Sequence, residues 1–317
     1  MAVVGNGKNG IVALAVRYNF NGYRPPYHFI QGVYLKTVNN DETNDQEIKE
    51  FPAYFERTVT QFTPQGVTDH PLNVLSEEPL SIRVQGKPYA VIMRTPGHEI
   101  SHVAGFCLGE GIIDAYDEIK QIAFCDGADT NTVTVTLNIS RLSQAGAILE
   151  RRGFISQSSC GICGKEVVRD LIQSVRPIED NLRFNWQRLL ECIDHFSEHQ
   201  SLYRTTRASH AAVAFDADFR PLSVGEDVGR HNAVDKAIGQ LLIDGRLDNT
   251  MCMMLSSRIS YELIQKVARA RIPVLMAMSR PTTLAVELAE KLNITLVCAP
   301  KNNDGLSVYS GHQRLTY

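Results

Sequence analysis

The chain has 317 residues, of which 44% are hydrophobic and 21% are charged, and its formal net charge is −3. This composition is ordinary for a globular protein and is sufficient to build a core of native type. The negative net charge argues against the excess of basic residues that is typical of nucleic-acid binding. No apolar run is long enough for a transmembrane helix. We therefore expect neither nucleic acid nor a membrane as a partner.

Residues 1–50 differ in composition from the rest of the chain. The apolar run Ile11–Val16 is too short to cross a bilayer and no small-residue cleavage site follows it, so we expect a cytoplasmic protein. The acidic, amide-rich stretch Asn39–Glu47 cannot bury enough apolar area to become ordered. We therefore predict that residues 1–50 form a partly disordered extension.

Residues 51–150 are predicted to form a smaller α+β lobe. Four runs rich in β-branched and aromatic residues are typical of strands, namely YFERTVTQF, LSIRVQG, YAVIMR and NTVTVTL. One helical stretch interrupts them after Pro96, in the segment PGHEISHVAG.

His98, Glu99 and His102 in this helical stretch form the pattern H-E-x-x-H. On a helix this spacing presents two imidazoles to zinc, with the glutamate as general base, so a zinc metalloprotease is one alternative function. Leu108 stands where the longer protease pattern has its third histidine ligand. We favour an amphipathic helix with solvated or capping histidines, and we expect no metal site.

Residues 151–175 carry the pair Cys160 and Cys163 in the polar, glycine-punctuated stretch SQSSCGICGKE. A structural zinc site would need a second ligand pair, and a zinc deaminase would need an H-x-E motif; neither pattern accompanies these cysteines. A helix N-terminus and Lys165 both favour the thiolate, which is the nucleophile in sulfur exchange. We predict a mobile loop that leads into a helix and bears a carrier cysteine.

The sequence has seven cysteines with irregular spacing, which argues against a secreted disulfide framework. The five outside the pair lie in apolar surroundings, and free cysteine is usually buried. We expect buried, inert thiols at Cys107, Cys125, Cys192, Cys252 and Cys298.

Residues 176–317 alternate short apolar runs with amphipathic ones. The predicted strands are AAVAF, TMCMML, IPVLMAM and ITLVCA, and the predicted helices are NAVDKAIGQLL, SYELIQKVARAR and TLAVELAEKLN. This alternation favours an α/β domain with a parallel or mostly parallel sheet.

A polar or glycine-rich segment follows each predicted strand of this domain: GEDVGRHN, SSRIS, SRPTT and APKNNDG. Such segments meet at the carboxyl edge of an α/β sheet, where helix N-termini attract phosphate. Arg258 and Arg280 add two cations there, so we predict an anion or nucleotide site. Asn232 and Ser279 also fit as helix caps, and capping alone is the alternative explanation of their segments.

Four stretches resemble the FdhD/NarQ family of formate dehydrogenase accessory proteins: EEPLSIRVQGKPYAVIMRTPGHEISHVAGFCLGEGII, SSCGICGKE, GEDVGRHNAVDKAIG and SSRISYELIQKVARARIPVLMAMSRPTTLAVELAEKLNITLV. The resemblance is collinear and covers roughly residues 54–317. It implies a sulfurtransferase that receives persulfide sulfur from a cysteine desulfurase. It also implies that the sulfur passes to the molybdenum or tungsten of a bis(molybdopterin guanine dinucleotide) cofactor, which the formate dehydrogenase apoprotein then receives.

The resemblance further implies a cytidine-deaminase-like three-layer α/β core without zinc, a homodimer, and GDP as an analogue of half of the cofactor. Cys160 is the implied persulfide bearer and Cys163 its helper. Glu226 and Asp227 are expected to accept hydrogen bonds from guanine, with cations near the phosphates. The expected cofactor-binding residues are His210, Glu226, Asp227, Arg230, His231, Ser257, Arg258, Ser279, Arg280, Ala299, Pro300, Lys301, Asn302, Asn303 and Asp304. A non-catalytic, guanine-nucleotide-binding regulatory module is the alternative function.

Overall fold

The computed structural model describes residues 11–14, 34–37, 51–126, 129–151, 175–299 and 305–317. The chain divides into two compact units, Met1–Glu47 and Ile48–Tyr317. In the first unit, strand β1 (Ile11–Leu14) pairs antiparallel with β2 (Tyr34–Thr37). The acidic stretch 39–47 lies outside the described residues.

The second unit begins with a two-stranded antiparallel ribbon. Its strands are β3 (Tyr54–Thr63) and β4 (Gly66–Leu75). The run YFERTVTQF predicted β3 correctly. The sequence pattern did not predict β4, because Pro71 interrupts a mixed polar and apolar run and proline in a strand interior usually argues against a strand.

A four-stranded sheet follows, with strand order β6-β5-β8-β7. Its strands are β5 (Glu78–Val84), β6 (Lys87–Arg94), β7 (Ile119–Asp126) and β8 (Asp129–Leu137). The helices of this region are α1 (Glu99–Gly109) and α2 (Ile139–Arg151). Alternate residues of β5, such as Leu80 and Ile82, are fully buried, because one face of this sheet packs against α1.

The C-terminal half adds five helices and eight strands to the described part of the chain. The helices are α3 (Gln187–His195), α4 (Ser201–Thr206), α5 (Arg230–Ile243), α6 (Tyr261–Arg269) and α7 (Thr283–Lys291). The strands are β9 (Phe184–Asn185), β10 (His210–Phe215), β11 (Pro221–Asp227), β12 (Cys252–Leu255), β13 (Val274–Ala277), β14 (Thr295–Cys298), β15 (Ser307–Ser310) and β16 (Leu315–Thr316).

Six of these strands form one sheet in the order β11-β10-β12-β13-β14-β15. β12, β13 and β14 pair in parallel, whereas β10 is antiparallel to both of its neighbours and β15 is antiparallel to β14. The sheet is therefore mixed, with four strands running one way and two the other. The sequence pattern did not predict β11, because Pro221, Gly225 and Asp227 are residues typical of turns.

Both faces of the six-stranded sheet are covered. One face packs against α5, α6 and α7, and the cluster there continues into the four-stranded sheet and α1. The other face packs against α3 through Leu189 and Cys192. The fold is α/β, as predicted; the cytidine-deaminase-like topology stays a prediction.

Helix α1 is buried on all sides rather than on one, which corrects the amphipathic prediction. It lies between the four-stranded sheet and helices α5 and α6. Its contact with α5 is close because two glycines face each other's backbones: a Cβ at Gly105 would meet the carbonyl of Asp235, and a Cβ at Gly239 would meet the carbonyl of Ser101.

We expect Gly239→Ala to lower the free energy of unfolding by roughly 3 kcal/mol, because the added methyl group forces two helix backbones apart. Denaturant unfolding followed by circular dichroism measures this loss. Gly146→Ala in α2 is the matched control, since a Cβ there meets no atom within 4 Å. The control should gain about 0.5–1 kcal/mol from the better helix propensity of alanine. Equal losses in both variants would contradict the close-contact explanation.

Candidate functional site

Five strands of the six-stranded sheet bring one of their ends to the same edge. Four of them finish there, at Asp227, Leu255, Ala277 and Cys298, and β10 starts there at His210. We call this edge the carboxyl rim and define it as residues 226–232, 256–260, 278–282, His210 and Ala299. The predicted convergence is confirmed for GEDVGRHN, SSRIS and SRPTT, although GEDVGRHN ends β11 and does not follow the strand AAVAF. Most of the fourth segment, APKNNDG, lies outside the described residues.

Backbone hydrogen bonds join neighbouring segments of the carboxyl rim. The N–H of Thr282 donates to the carbonyl of Ile259 at 3.0 Å, and Ile259 forms a parallel bridge with Pro281. Pro281 and Thr282 are therefore held against the segment that follows β12, and α7 begins only at Thr283. Ser279 is not the helix cap that the sequence predicted; the hydroxyl of Thr282 accepts from the N–H of Ala285 at 3.3 Å.

Arg258 and Arg280 are the exposed cations of the carboxyl rim. Neither guanidinium has a hydrogen-bond or ion-pair partner among the described residues, and the same holds for the half-buried Arg230. A guanidinium without such a partner can bind a phosphate without first losing an ion pair. The rim thus presents positive charge that is available to an anion.

The N-termini of two long helices point their first N–H groups toward the same rim. Gly229 precedes α5 and Ser260 precedes α6, and neither helix receives a hydrogen bond from its capping side chain. The partial positive charge of a helix N-terminus therefore adds to that of the arginines. Asn232 lies inside the first turn of α5 and is not its cap, which corrects the sequence prediction.

The two rim histidines have different surroundings. His231 Nε2 lies 2.9 Å from Glu262 Oε2, and this hydrogen bond is the main cause of a lowered pKa at Glu262. His210 Nδ1 lies 3.4 Å from the hydroxyl of Ser256. Burial, followed by the charge of nearby Arg230, lowers the pKa of His210. A neutral imidazole at His210 offers one donor and one acceptor to a ligand.

The two rim carboxylates are already engaged within the chain. Glu226 accepts hydrogen bonds from the N–H groups of Leu202 at 2.8 Å and Tyr203 at 2.9 Å, at the start of α4. Asp227 is fully buried, although its segment reads as a surface turn. A fully buried carboxylate is not accessible to a ligand. The predicted direct hydrogen bond between Asp227 and guanine therefore does not fit the structure.

Asp227 instead joins the β6–α1 turn to the carboxyl rim. Its carboxylate accepts from the N–H of Thr95 at 3.0 Å and from Asn232 Nδ2 at 2.8 Å, and it lies 2.8 Å from Lys236 Nζ. Lys236 also donates to the carbonyl of Thr95 at 2.8 Å. We call these residues the Asp227–Lys236 cluster: Thr95, Asp227, Asn232 and Lys236.

The H-E-x-x-H pattern does not have the geometry of a zinc site. His98 is exposed and precedes α1 with a left-handed φ of 62°, whereas His102 is fully buried within the helix. Glu99 forms an ion pair with buried Arg94 at 3.0 Å. Among the described residues, no group of three or more His, Cys, Asp or Glu side chains could hold a metal ion. The prediction of a solvated or capping histidine is wrong for His102, because α1 is covered on all sides.

The remaining expected site residues are placed as follows. Ser257 is buried and its hydroxyl donates to the carbonyl of Arg258 at 3.1 Å. Ser279 is half-buried, and its carbonyl accepts from Cys298 Sγ at 3.2 Å. The N–H of Ala299 donates to the carbonyl of Ala277 at 2.9 Å. Residues Cys160, Cys163, Pro300, Lys301, Asn302, Asn303 and Asp304 lie outside the described residues.

Four of the other cysteines are buried, as predicted: Cys107, Cys192, Cys252 and Cys298. Burial raises the pKa of Cys107 to about 12 and that of Cys298 to about 11, so both are thiols at neutral pH. The prediction is wrong for Cys125, which is exposed near the end of edge strand β7.

Sequence reasoning missed several residues that shape the rim. Lys236 forms an ion pair with Asp227 and donates a hydrogen bond to the carbonyl of Thr95 beneath the rim. Glu262 forms a hydrogen bond with His231. The exposed side chain of Met278 adds apolar surface. One signal was available in the sequence: Asp235 and Lys236 interrupt the apolar residues of α5, and buried charges require partners of opposite charge.

Residues 75–316 of the chain match the sequence profile of the FdhD/NarQ family. The chain belongs to this family. The sulfur carrier protein FdhD of Mycolicibacterium paratuberculosis is 39% identical over 269 residues, which cover 82% of this chain and 97% of that relative. The protein of the same name from Streptomyces avermitilis is 36% identical over 267 residues, which cover 82% of this chain and 94% of the relative. The family resemblance inferred from the motifs is confirmed.

A solved structure shares the fold. It is that of a protein described as a formate dehydrogenase accessory protein from Desulfotalea psychrophila, with a TM-score of 0.67 and 22% identity. The match covers 84% of this chain and 100% of that one. At this level of identity the likeness shows the fold alone.

None of the helices that the structure describes has both the length and the apolar character needed to cross a bilayer.

We expect the free energy of unfolding to depend on pH through the titration of His102. Burial, and then the charges of Lys236, Lys266 and Arg94, lower its pKa well below 6.5. Below pH 6.5 the unfolded chain therefore binds a proton at His102 that the folded chain does not, so stability falls as the pH falls. One titrating group can change the free energy of unfolding by at most about 1.4 kcal/mol per pH unit, so the loss between pH 6.5 and pH 5 is at most about 2 kcal/mol.

Urea unfolding between pH 7.5 and pH 5 measures this effect. His102→Met should lose less stability than the wild type over that range, by at most about 2 kcal/mol, because methionine does not titrate. The same substitution at exposed His312 is the control for a general effect of removing a histidine. Parallel pH profiles for the wild type and His102→Met would show that His102 is not the titrating group.

Proposed function

We propose that this chain is a sulfur carrier that serves formate dehydrogenase. The observation that carries the proposal is the similarity, over 82% of the chain, to relatives named sulfur carrier protein FdhD. The Cys160–Cys163 pair supplies the chemical group that such a role requires. Sulfur exchange needs a nucleophilic thiolate, and each of the four buried cysteines has a raised pKa.

The proposed loading step is an exchange between a persulfide and a thiolate. The Cys160 thiolate attacks the outer sulfur of a persulfide on a cysteine desulfurase. The sulfur–sulfur bond of the donor breaks, its cysteine leaves as a thiolate, and a persulfide forms on Cys160. No external oxidant or reductant is needed, because the sulfane sulfur is transferred without a change in the total oxidation state.

The acceptor in this proposal is the molybdenum or tungsten of a bis(molybdopterin guanine dinucleotide) cofactor, bound as substrate on the carboxyl rim. The exposed Arg258 and Arg280 are suited to its diphosphate groups, and the uncapped N-termini of α5 and α6 add partial positive charge. His210 and the exposed Met278 are suited to the less charged parts of the ligand. Asp227 holds the rim from beneath.

Three further expectations belong to this proposal. The sulfur donor is a cysteine desulfurase, the recipient of the sulfurated cofactor is the formate dehydrogenase apoprotein, and the protein acts in the cytoplasm.

We also propose that the α/β core has the cytidine-deaminase-like three-layer topology. Its sheet, covered by α5–α7 on one face and by α3 on the other, supports this assignment.

Sulfur loading is tested by incubating the chain with a cysteine desulfurase and cysteine and measuring its intact mass. The wild type should gain the mass of one sulfur atom, and Cys160→Ala should not. Cys125→Ala is the matched control, because Cys125 is an exposed thiol outside the Cys160–Cys163 pair and should not affect loading. A wild type that never gains sulfur would leave the regulatory nucleotide-binding module as the better function.

Nucleotide binding at the carboxyl rim is tested by calorimetry with GDP and ADP. We expect a preference for GDP, and we expect Arg258→Ala to weaken GDP binding by about 1.5–3 kcal/mol, or roughly tenfold to a hundredfold. Arg220→Ala is the control, because Arg220 is exposed at the opposite edge of the same sheet. Equal affinities for GDP and ADP, or an unchanged affinity in Arg258→Ala, would place the guanine site elsewhere.

A further inference from the structure

His102 is a buried histidine that takes no part in the carboxyl rim. It lies in the first turn of α1, and its side chain is fully buried. Neither Nδ1 nor Nε2 has a hydrogen-bond partner among the described residues. Buried polar side chains are nearly always hydrogen-bonded, so an orphaned one points to a bound water or ion. The nature of that partner follows from the charges and the donors around the ring.

The imidazole of His102 is neutral at pH 7. Burial, and then the charges of Lys236, Lys266 and Arg94, lower its pKa well below 6.5. A neutral imidazole carries one N–H donor and one nitrogen acceptor. The N–H requires an acceptor, and the three cations cannot provide one, because ammonium and guanidinium groups only donate.

The charge around the ring is balanced. Each of the three cations has a carboxylate partner within 3.0 Å, and the pairs are Lys236–Asp227, Lys266–Asp235 and Arg94–Glu99. An anion beside His102 would add a buried charge without a partner, which is costly. A water molecule adds no charge and can both accept and donate. The balance of charge therefore favours water over an anion.

The Lys236 ammonium group has no hydrogen left for the acceptor nitrogen of the ring. Its contacts are with the Asp227 carboxylate at 2.8 Å, the carbonyl of Thr95 at 2.8 Å and the carbonyl of Glu226 at 3.2 Å. These three contacts use all three donors of an ammonium group. The Asp227–Lys236 cluster is thus satisfied without the imidazole.

Asn232 is the member of this cluster that lies beside the ring. Against the larger effect of burial, its side chain raises the pKa of His102, so the two side chains are close, although neither ring nitrogen forms a hydrogen bond with it. Asn232 Nδ2 donates to Asp227 and to the carbonyl of Met93, each at 2.8 Å. Both of its hydrogens are therefore used, whereas Oδ1 accepts no hydrogen bond from the described residues.

We infer that a buried water molecule binds between the His102 imidazole and Asn232 Oδ1. The water oxygen accepts the hydrogen bond of the ring N–H, and one water hydrogen is donated to Oδ1. Buried waters typically make about three hydrogen bonds to polar groups that the chain leaves unsatisfied, and this position supplies two of them.

This water connects α1 to the start of α5. Asn232 lies in the first turn of α5, and its amide is held by Asp227, by the carbonyl of Met93 and by the water. His102 is too deeply buried to contact a ligand at the carboxyl rim. It is therefore a positioning residue, which acts on Asn232 through the water.

A crystal structure of the full chain, at a resolution that shows ordered waters, tests this inference. We expect a water within about 2.5–3.2 Å of both a His102 ring nitrogen and Asn232 Oδ1. A direct hydrogen bond between the two side chains, or ring nitrogens in contact with carbon atoms only, would overturn the inference. A bromide soak separates water from an anion, and anomalous density beside His102 would also overturn it.

Magnetic relaxation dispersion, which counts long-lived internal waters in solution, gives a second test. The count should fall by one in His102→Met, because methionine offers no N–H, and it should not change in His102→Gln, which keeps a donor and an acceptor. His312→Met is the control, since His312 is exposed. An equal count in the wild type and His102→Met would contradict the inference. If His102→Met does not fold, the wild-type crystal structure still decides.

Discussion

The buried ion pair between Asp227 and Lys236 holds together the two segments on which the carboxyl rim is built. Removing both charges from water costs several kcal/mol per ion, and this cost is offset only when hydrogen bonds satisfy the remaining oxygens and protons. Thr95 and Asn232 supply hydrogen bonds to Asp227, and the carbonyl of Thr95 accepts from Lys236. The β6–α1 turn and the start of α5 are therefore fixed to each other. The free N–H groups of α5 can face the rim only because this contact sets where the helix begins.

The charged residues of the rim divide into two groups with different tasks. The carboxylates Glu226 and Asp227 accept hydrogen bonds from the chain itself and stabilise the local backbone. The guanidinium groups of Arg258 and Arg280 reach solvent and have no hydrogen-bond or ion-pair partner within the described ranges. These two guanidinium groups are therefore available to an anion, although the whole chain carries a net charge of −3. The separation supports the proposal that a nucleotide-bearing cofactor binds at the rim.

Helix α1 connects the rim to the rest of the molecule. It is covered on all sides, and the two glycines at its crossing with α5 let the helix backbones approach closely. One continuous apolar cluster consequently extends from Leu80 in the four-stranded sheet to Leu275 in the six-stranded one. Because protein interiors are close-packed, a substitution at this crossing would displace the start of α5 and thus alter the rim.

The sequence by itself determined the strands and helices with clear periodicity, the convergence of the polar segments at one edge of the sheet, and the family. These features depend on residues a few positions apart or on the general geometry of α/β sheets. It did not reveal β11, because Gly225 and Asp227 favour turns and only pairing with β10 makes them a strand. It also left Ser279 as a possible cap, whereas α7 begins at Thr283, after the bridge between Ile259 and Pro281. Only the tertiary structure decided that Asp227 supports the rim, since its partner Thr95 is 132 residues away. Burial and hydrogen-bond partners arise from contacts between distant segments, and local patterns of residues do not encode them.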